Sequence, residues 1–141
     1  MAKKGFGLCA MVFLALTAVS WAASSGGYNY ISAAELQKRL DAREPMILVD
    51  ICPVEQFAKG HIPGSIETNA YPVDTEEQRS RLARLLPKIQ ASKDDVIIVC
   101  PRGGGGAKKT VDFYKSKGVE EKRLIILEKG MDAWPYATEK K

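Results

Sequence analysis

Cys100 stands at the end of the most hydrophobic run of the chain, Val96-Ile97-Ile98-Val99, and is followed by Pro101-Arg102-Gly103-Gly104-Gly105-Gly106-Ala107. A cysteine that leaves a buried strand, enters a glycine loop and meets a helix is placed for nucleophilic sulfur chemistry. Glycine reaches backbone angles closed to other residues, so this loop can curl around a small ligand. Curled N–H groups at a helix N-terminus form an anion cradle. Such a cradle favours the thiolate, the nucleophilic form of cysteine. The plainer alternative, a buried cysteine beside a slack loop, leaves the entropic cost of four adjacent glycines without a reason. The candidate nucleophile is therefore Cys100, and the candidate cradle is Arg102, Gly103, Gly104, Gly105, Gly106 and Ala107.

The elements that must position this loop follow from patterning. Tyr28 to Ile31 is a short strand candidate. Ser32 and Glu35 form a capping-box pattern, with Leu36 and Leu40 on one helical face. Met46 to Ile51 is a continuous apolar run interrupted only by Asp50, as in a strand buried on both faces. A short helix is expected from Pro53 to Ala58, with Gly60 just beyond it, and a short strand over Ser65 to Thr68. Thr75 and Gln78 form a second capping box, and Leu82, Leu85, Leu86 and Ile89 keep helical spacing. The helix after the glycine loop runs from about Ala107 to Lys117, and Gly118 is its expected left-handed cap. Leu124 to Leu127 is the last strand, and Met131 to Tyr136 a final short helix. Strands alternating with helices imply parallel pairing and right-handed crossovers. The expected fold is a single α/β domain with a central, mostly parallel sheet of four or five strands and helices on both faces. In such sheets ligands bind beyond the carboxyl ends of the strands, where Cys100 lies.

Composition narrows the classes of function. Of the 141 residues, 45% are hydrophobic and 27% charged, with 12 Gly, 7 Pro and 3 Cys, which excludes a disordered, collagen-like or disulfide-dense chain. The net charge is +4, and Lys3 and Lys4 supply two of those charges. The remaining basic residues are scattered among acids, so a nucleic-acid footprint is absent. Lys3 and Lys4, the apolar stretch Leu8 to Val19 and the small residues Ser20 and Ala22 form a secretory signal pattern with cleavage after Ala22. That stretch is short of the ~20 residues needed to span a bilayer, so no stable membrane association is expected after cleavage. Cys9 precedes the cleavage point and reads as a small apolar residue. The expected organisation is a signal peptide over 1–22, a flexible joint over 23–27, a domain over 28–137 and a C-terminal tail over 138–141. The mature chain is thus expected in the periplasm or another exported, oxidising compartment, with Cys52 and Cys100 as its two thiols.

Several motifs together resemble the rhodanese-like domain family, in its small single-domain sulfurtransferase type. They are Leu48-Val49-Asp50, Glu55-Gln56-Phe57, Gly60-His61-Ile62-Pro63-Gly64-Ser65, the Cys100 loop, and Leu127-Glu128-Lys129-Gly130-Met131-Asp132-Ala133-Trp134. With the N-terminal signal, the chain is most similar to small periplasmic rhodaneses. The resemblance implies that Cys100 takes a sulfane sulfur from a donor such as thiosulfate as a persulfide. It then passes the sulfur to a thiophilic acceptor such as cyanide or a thiol, with no metal or organic cofactor. His61 is implied to be structural, and Trp134 fits core packing.

This chain departs from the family's pattern in three places. Cys52 stands where the family usually carries Arg, two residues after the strand-end Asp. Gly104 and Gly105 stand where the family loop often carries Arg or another side chain. Pro101 removes one backbone donor from the cradle. Lys108 and Lys109, in the first helical turn, are candidate replacements for the missing charge or else solvated lysines. A phosphatase would need Arg six positions after the cysteine to grip phosphate bidentately, and Gly106 is there instead. A different class of function, a non-enzymatic sulfur-carrier or binding module for an exported partner, is also compatible with the altered loop. In this family the strands ending in Cys52 and Cys100 are neighbours. Adjacent strands lie ~4.8 Å apart and a disulfide needs Cα atoms within about 7 Å, so Cys52 is a possible resolving thiol for an oxidised or persulfidated Cys100, or else a packed apolar residue in place of the usual Arg.

Overall fold

The run Asp95–Val99 forms strand β4 at the centre of the sheet, where β-branched residues on both faces are buried. The computed structural model describes residues 27–141, so the signal expected over 1–22 and most of the joint lie outside the described residues. The other strands are β1 (Asn29–Ile31), β2 (Met46–Asp50), β3 (Ile66–Glu67) and β5 (Leu124–Leu127). All five are parallel, in the order β1-β5-β4-β2-β3. The expected α/β domain with helices on both faces is the one observed.

Alternation along the strands sorts the core into two layers. Ile47, Val49, Val96 and Ile98 face Leu82, Ile89, Ala107, Val111 and Tyr114 on one side. Leu48, Ile97 and Val99 face Leu36, Ile62 and Trp134 on the other. Trp134 is thus core, and its indole N–H donates to the Ala137 carbonyl at 3.2 Å.

Helix α1 (Ala33–Asp41) buries Leu36 in the second layer and α2 (Val54–Lys59) follows β2, and Ser32 caps α1 by accepting the Glu35 N–H at 3.1 Å. Thr75 and Gln78 close a full capping box on α3 (Glu76–Ala83). The helical spacing from Leu82 to Ile89 does not make one helix. α3 stops at Ala83 and α4 (Leu86–Gln90) starts afresh, because Pro87 has no N–H to continue the ladder and occupies the first turn of α4 instead. The helix after the glycine loop, α5 (Gly105–Ser116), begins two residues before the expected Ala107, since the Lys108 N–H already reaches the Gly104 carbonyl at 3.1 Å. Gly118 follows it at φ 90°, the expected left-handed cap. Beyond β5 the expected helix shrinks to a 3₁₀ turn over Met131–Ala133, with Pro135 against further extension.

Residues 138–141 are held against the domain. Glu139 and His61 exchange two backbone hydrogen bonds of 2.9 Å as an antiparallel bridge, and Lys141 pairs with Glu67 at 2.7 Å. Among the described residues no helix is long and apolar enough to cross a membrane.

Candidate active site

Cys100 is only 1% exposed, directly beyond the last residue of β4, and the chain turns sharply after it. Gly103 takes φ 71° and turns its N–H onto the Cys100 Sγ at 2.8 Å. A side chain there would be strained, and its Cβ would lie 2.9 Å from both the Leu127 carbonyl and the Lys129 amide.

The turn after β5 clamps this loop from outside. Met131 and Asp132 donate backbone N–H bonds to the carbonyls of Cys100 and Pro101 at 2.8 and 2.9 Å. Gly130, at φ 64°, makes that approach possible: a Cβ on it would stand 2.3 Å from the Cys100 oxygen. The Gly-Met-Asp-Ala-Trp segment therefore sets the backbone of Cys100, while its Trp134 anchors the turn in the core.

The remaining glycines do separate jobs. Gly104 is the N-cap of α5 and supplies no side-chain cap. The N–H groups of Gly105, Gly106 and Ala107 open the helix without intrahelical acceptors, at its positive dipole end. A Cβ at Gly104 or Gly105 would meet nothing within 4 Å, so this side of the loop is open. Gly106 is closed in, because its Cβ would lie 3.0–3.1 Å from the Tyr71 ring. Tyr71 carries no motif signal of its own, yet its N–H bonds the Ile51 carbonyl at 2.9 Å and its ring walls the first turn of α5. An arginine fork at position 106 would have to displace that ring, which adds a steric objection to the phosphatase alternative.

The candidate cations do not converge on the thiol. Arg102 belongs to the loop, but its side chain is 86% exposed and lies 3.7 Å from the Asp132 carboxylate. Lys109 is ion-paired with Asp74, and the Lys108 ammonium lies 5.6 Å above the Tyr28 ring. Lys108 and Lys109 thus do not replace the missing charge, because each is engaged on the flank of α5. His61 is structural, as the resemblance implies. Its ring stacks on Phe57 at 3.9 Å and its Nδ1 lies 3.0 Å from the Phe57 carbonyl.

Cys52 lies two residues beyond β2, the strand next to β4, and the ladder continues past Asp50 through the Ile51 N–H on the Val99 carbonyl at 2.9 Å. Cys100 packs in the layer with Ile51 and Ile98, whereas Cys52 belongs to neither apolar layer and keeps company with Asp50. Both thiols are buried and free. Burial first, and then the Asp50 carboxylate beside it, push the Cys52 thiol far above the ordinary thiol range. A thiol held protonated is a poor attacker, so on that direction Cys52 is expected to stay a packed thiol rather than to resolve Cys100. Mild peroxide is expected to oxidise Cys100 while Cys52 stays a free thiol, and non-reducing peptide mapping reads this directly. A Cys52–Cys100 disulfide in that map would restore the resolving role.

Asp50 is 1% exposed; its Oδ1 accepts the Cys52 N–H at 2.8 Å, and its Oδ2 has no partner. Burial raises its carboxyl above the usual range, against the opposing pull of the Cys52 N–H. A raised acid contributes stability that is complete below its unfolded pKa and lost as pH rises through its folded one. Asp50→Asn keeps an acceptor for Cys52 but cannot ionise. Its thermal midpoint is expected to exceed the parent's at pH 7–8 and to fall less steeply with pH, by calorimetry across pH 4–8. A parallel pH profile for both proteins would show that the carboxyl is not raised.

The parallel α/β sheet thus presents a buried strand-end cysteine in a glycine turn beside a helix N-terminus. The rhodanese-like domain model matches residues 32–137, and the chain belongs to that family. A crystal structure of a rhodanese-like domain protein from Staphylococcus aureus is 25% identical, with a TM-score of 0.60, over 80% of this chain and 98% of that one. Two further solved structures share the fold: an As-Sb reductase from Leishmania major (23% identity, TM-score 0.58, 77% of each chain) and a thiosulfate sulfurtransferase from Pseudomonas aeruginosa (22%, 0.55, 80% of this chain and 20% of that one). No curated protein sequence matches the chain.

Proposed function

We propose that this rhodanese-like domain is a sulfurtransferase working through a persulfide on Cys100. The observation that carries this is the Gly103 N–H already turned onto the Cys100 Sγ at 2.8 Å, at the mouth of the unpartnered N–H groups of α5. The thiolate attacks the outer sulfur of a donor such as thiosulfate. The donor's S–S bond breaks, and its electron pair leaves with sulfite. The terminal sulfur now carries the negative charge, and the Gly103 N–H together with the positive end of α5 stabilises it. A thiophilic acceptor, cyanide or a thiol, then attacks that sulfur and returns Cys100 as thiolate. Access is from the open Gly104–Gly105 side of the loop. The chemistry uses the chain's own groups and calls on no metal or organic cofactor. We place the protein in the periplasm or another exported compartment on the strength of the N-terminal signal pattern alone.

The test is incubation with thiosulfate, followed by peptide mass mapping and a thiocyanate assay with cyanide. One added sulfur atom on the Cys100 peptide and steady thiocyanate formation are expected. No adduct and no thiocyanate would overturn the reading. The near-complete burial of Cys100 favours a second reading, a sulfur carrier that opens only to one protein partner. A stable persulfide that cyanide and small thiols fail to discharge would support it.

A further inference from the structure

Asp50 and Glu67 stand opposite each other in the β2–β3 ladder, so their carboxyls share one face of the sheet. Each carboxyl has one satisfied oxygen and one orphan. Asp50 Oδ1 accepts the Cys52 N–H at 2.8 Å, and Glu67 Oε1 accepts the Lys141 ammonium at 2.7 Å. Asp50 Oδ2 and Glu67 Oε2 are buried and have no partner among the described residues. Asp50 itself is 1% exposed and close enough to Glu67 for the two charges to oppose each other. Like charges directly opposite on neighbouring strands repel, and a buried acceptor without a donor costs the desolvation of the group. One proton between the two orphan oxygens removes both penalties, because a protonated carboxyl donates where an ionised one only accepts.

The surroundings set which acid holds that proton. Beside Asp50 are the Cys52 thiol and, by its charge when protonated, the His61 imidazole. The C-terminal segment brings Lys141 to Glu67, and Glu139 to 3.9 Å from the His61 Nε2. The ammonium bonded to Glu67 favours the charge there, and the deeper burial of Asp50 favours the proton there. The neighbouring backbone hangs from the same strand end. β3 is a two-residue edge strand, and the Thr68 N–H and hydroxyl both bond the Asp50 carbonyl, at 3.0 and 2.9 Å. Three residues on, the Tyr71 N–H bonds the Ile51 carbonyl, and the Tyr71 ring walls Gly106 in the first turn of α5.

We propose that Asp50 and Glu67 share one proton at neutral pH, and that this proton fastens β3 and the segment from Thr68 to Tyr71 onto the end of β2. As pH rises, Asp50 Oδ2 gives the proton to solvent and two carboxylates are left in register. The short edge strand is then the part that yields, because only two residues pair it to β2. The latch loosens in the alkaline direction, the sign that follows for an acid whose ionisation is opposed by burial. Its opening reaches the α5 side of the candidate active site through Tyr71.

The experiment follows the side-chain carboxyl carbons by NMR across pH 3–9 in the parent, Asp50→Asn and Glu67→Gln, together with the exchange protection of the Thr68 amide. In the parent the Asp50 and Glu67 signals are expected to move in the same two steps, the signature of two acids that titrate as a pair. In either variant the remaining acid is expected to move in one step. Thr68 protection is expected to fall at least about tenfold through the parent's upper step, the factor that one pK unit of coupling supplies, and to stay level there in Asp50→Asn. Independent single steps in the parent, as two ionised acids bridged by water or a sodium ion would give, overturn the shared proton. Shared steps with level Thr68 protection overturn the latch. The parent's own titration decides the first point even where a variant fails to fold.

Discussion

Cys100→Ser is expected to lower the thiosulfate-to-cyanide rate by at least about 10³-fold, the scale on which enzymes lose activity when a covalent nucleophile is removed. A serine hydroxyl cannot hold a sulfane sulfur as a persulfide. Oxygen can still accept the Gly103 N–H that Sγ accepts at 2.8 Å, so the loop keeps its shape. The thermal midpoint is accordingly expected to stay within a few degrees of the parent, and this separates lost chemistry from lost fold. A variant that retained about a tenth of the parent rate would place the nucleophile elsewhere.

Gly130→Val has the largest expected effect on stability, about 4 kcal/mol or more, in the range reserved for backbone strain combined with an unavoidable clash. The position holds φ 64°, and its Cβ would stand 2.3 Å from the Cys100 oxygen and 2.6 Å from the Arg102 nitrogen. Those are backbone atoms and cannot swing aside. Relief requires the 130–132 turn to lift off, which forfeits the bonds from Met131 and Asp132 to the Cys100 and Pro101 carbonyls. Gly105→Ala is the matched comparison, because its Cβ enters open space in the first turn of α5 and is expected to change stability by less than about 1 kcal/mol. Urea denaturation of the two variants measures the difference. Equal midpoints would mean that the clamp does not constrain the nucleophile's loop.

Position 130 also shows why a motif and its physical role are learned from different sources. The Gly-Met-Asp-Ala-Trp segment is recognisable in the chain, but its contact with the Cys100 backbone joins residues some thirty positions apart and leaves no local signal. Tyr71 is a stronger case, since an isolated aromatic before Pro72 carries neither periodicity nor spacing, and only packing puts its ring against Gly106. The cations went the other way. Lys108 and Lys109 sit in the turn nearest the cradle in sequence, yet Tyr28 and Asp74, brought in from distant parts of the chain, engage them outside it.

What the amino-acid order determined by itself is the set of features governed by neighbours along the chain. The apolar β-branched runs specify β2, β4 and β5, the Thr75–Gln78 box starts α3, Gly118 ends α5 in the left-handed region, and the cysteine-glycine order marks the candidate nucleophile. Even the break at Pro87 follows a local rule, the missing N–H, which outranks the apolar spacing across it. The tertiary structure alone decided which groups surround that nucleophile. It set Cys52 beside Asp50 and turned Arg102 outward to Asp132. The reason is that charge and burial at a site depend on parallel strands and loops converging from across the sequence, and no spacing rule along one chain records that convergence.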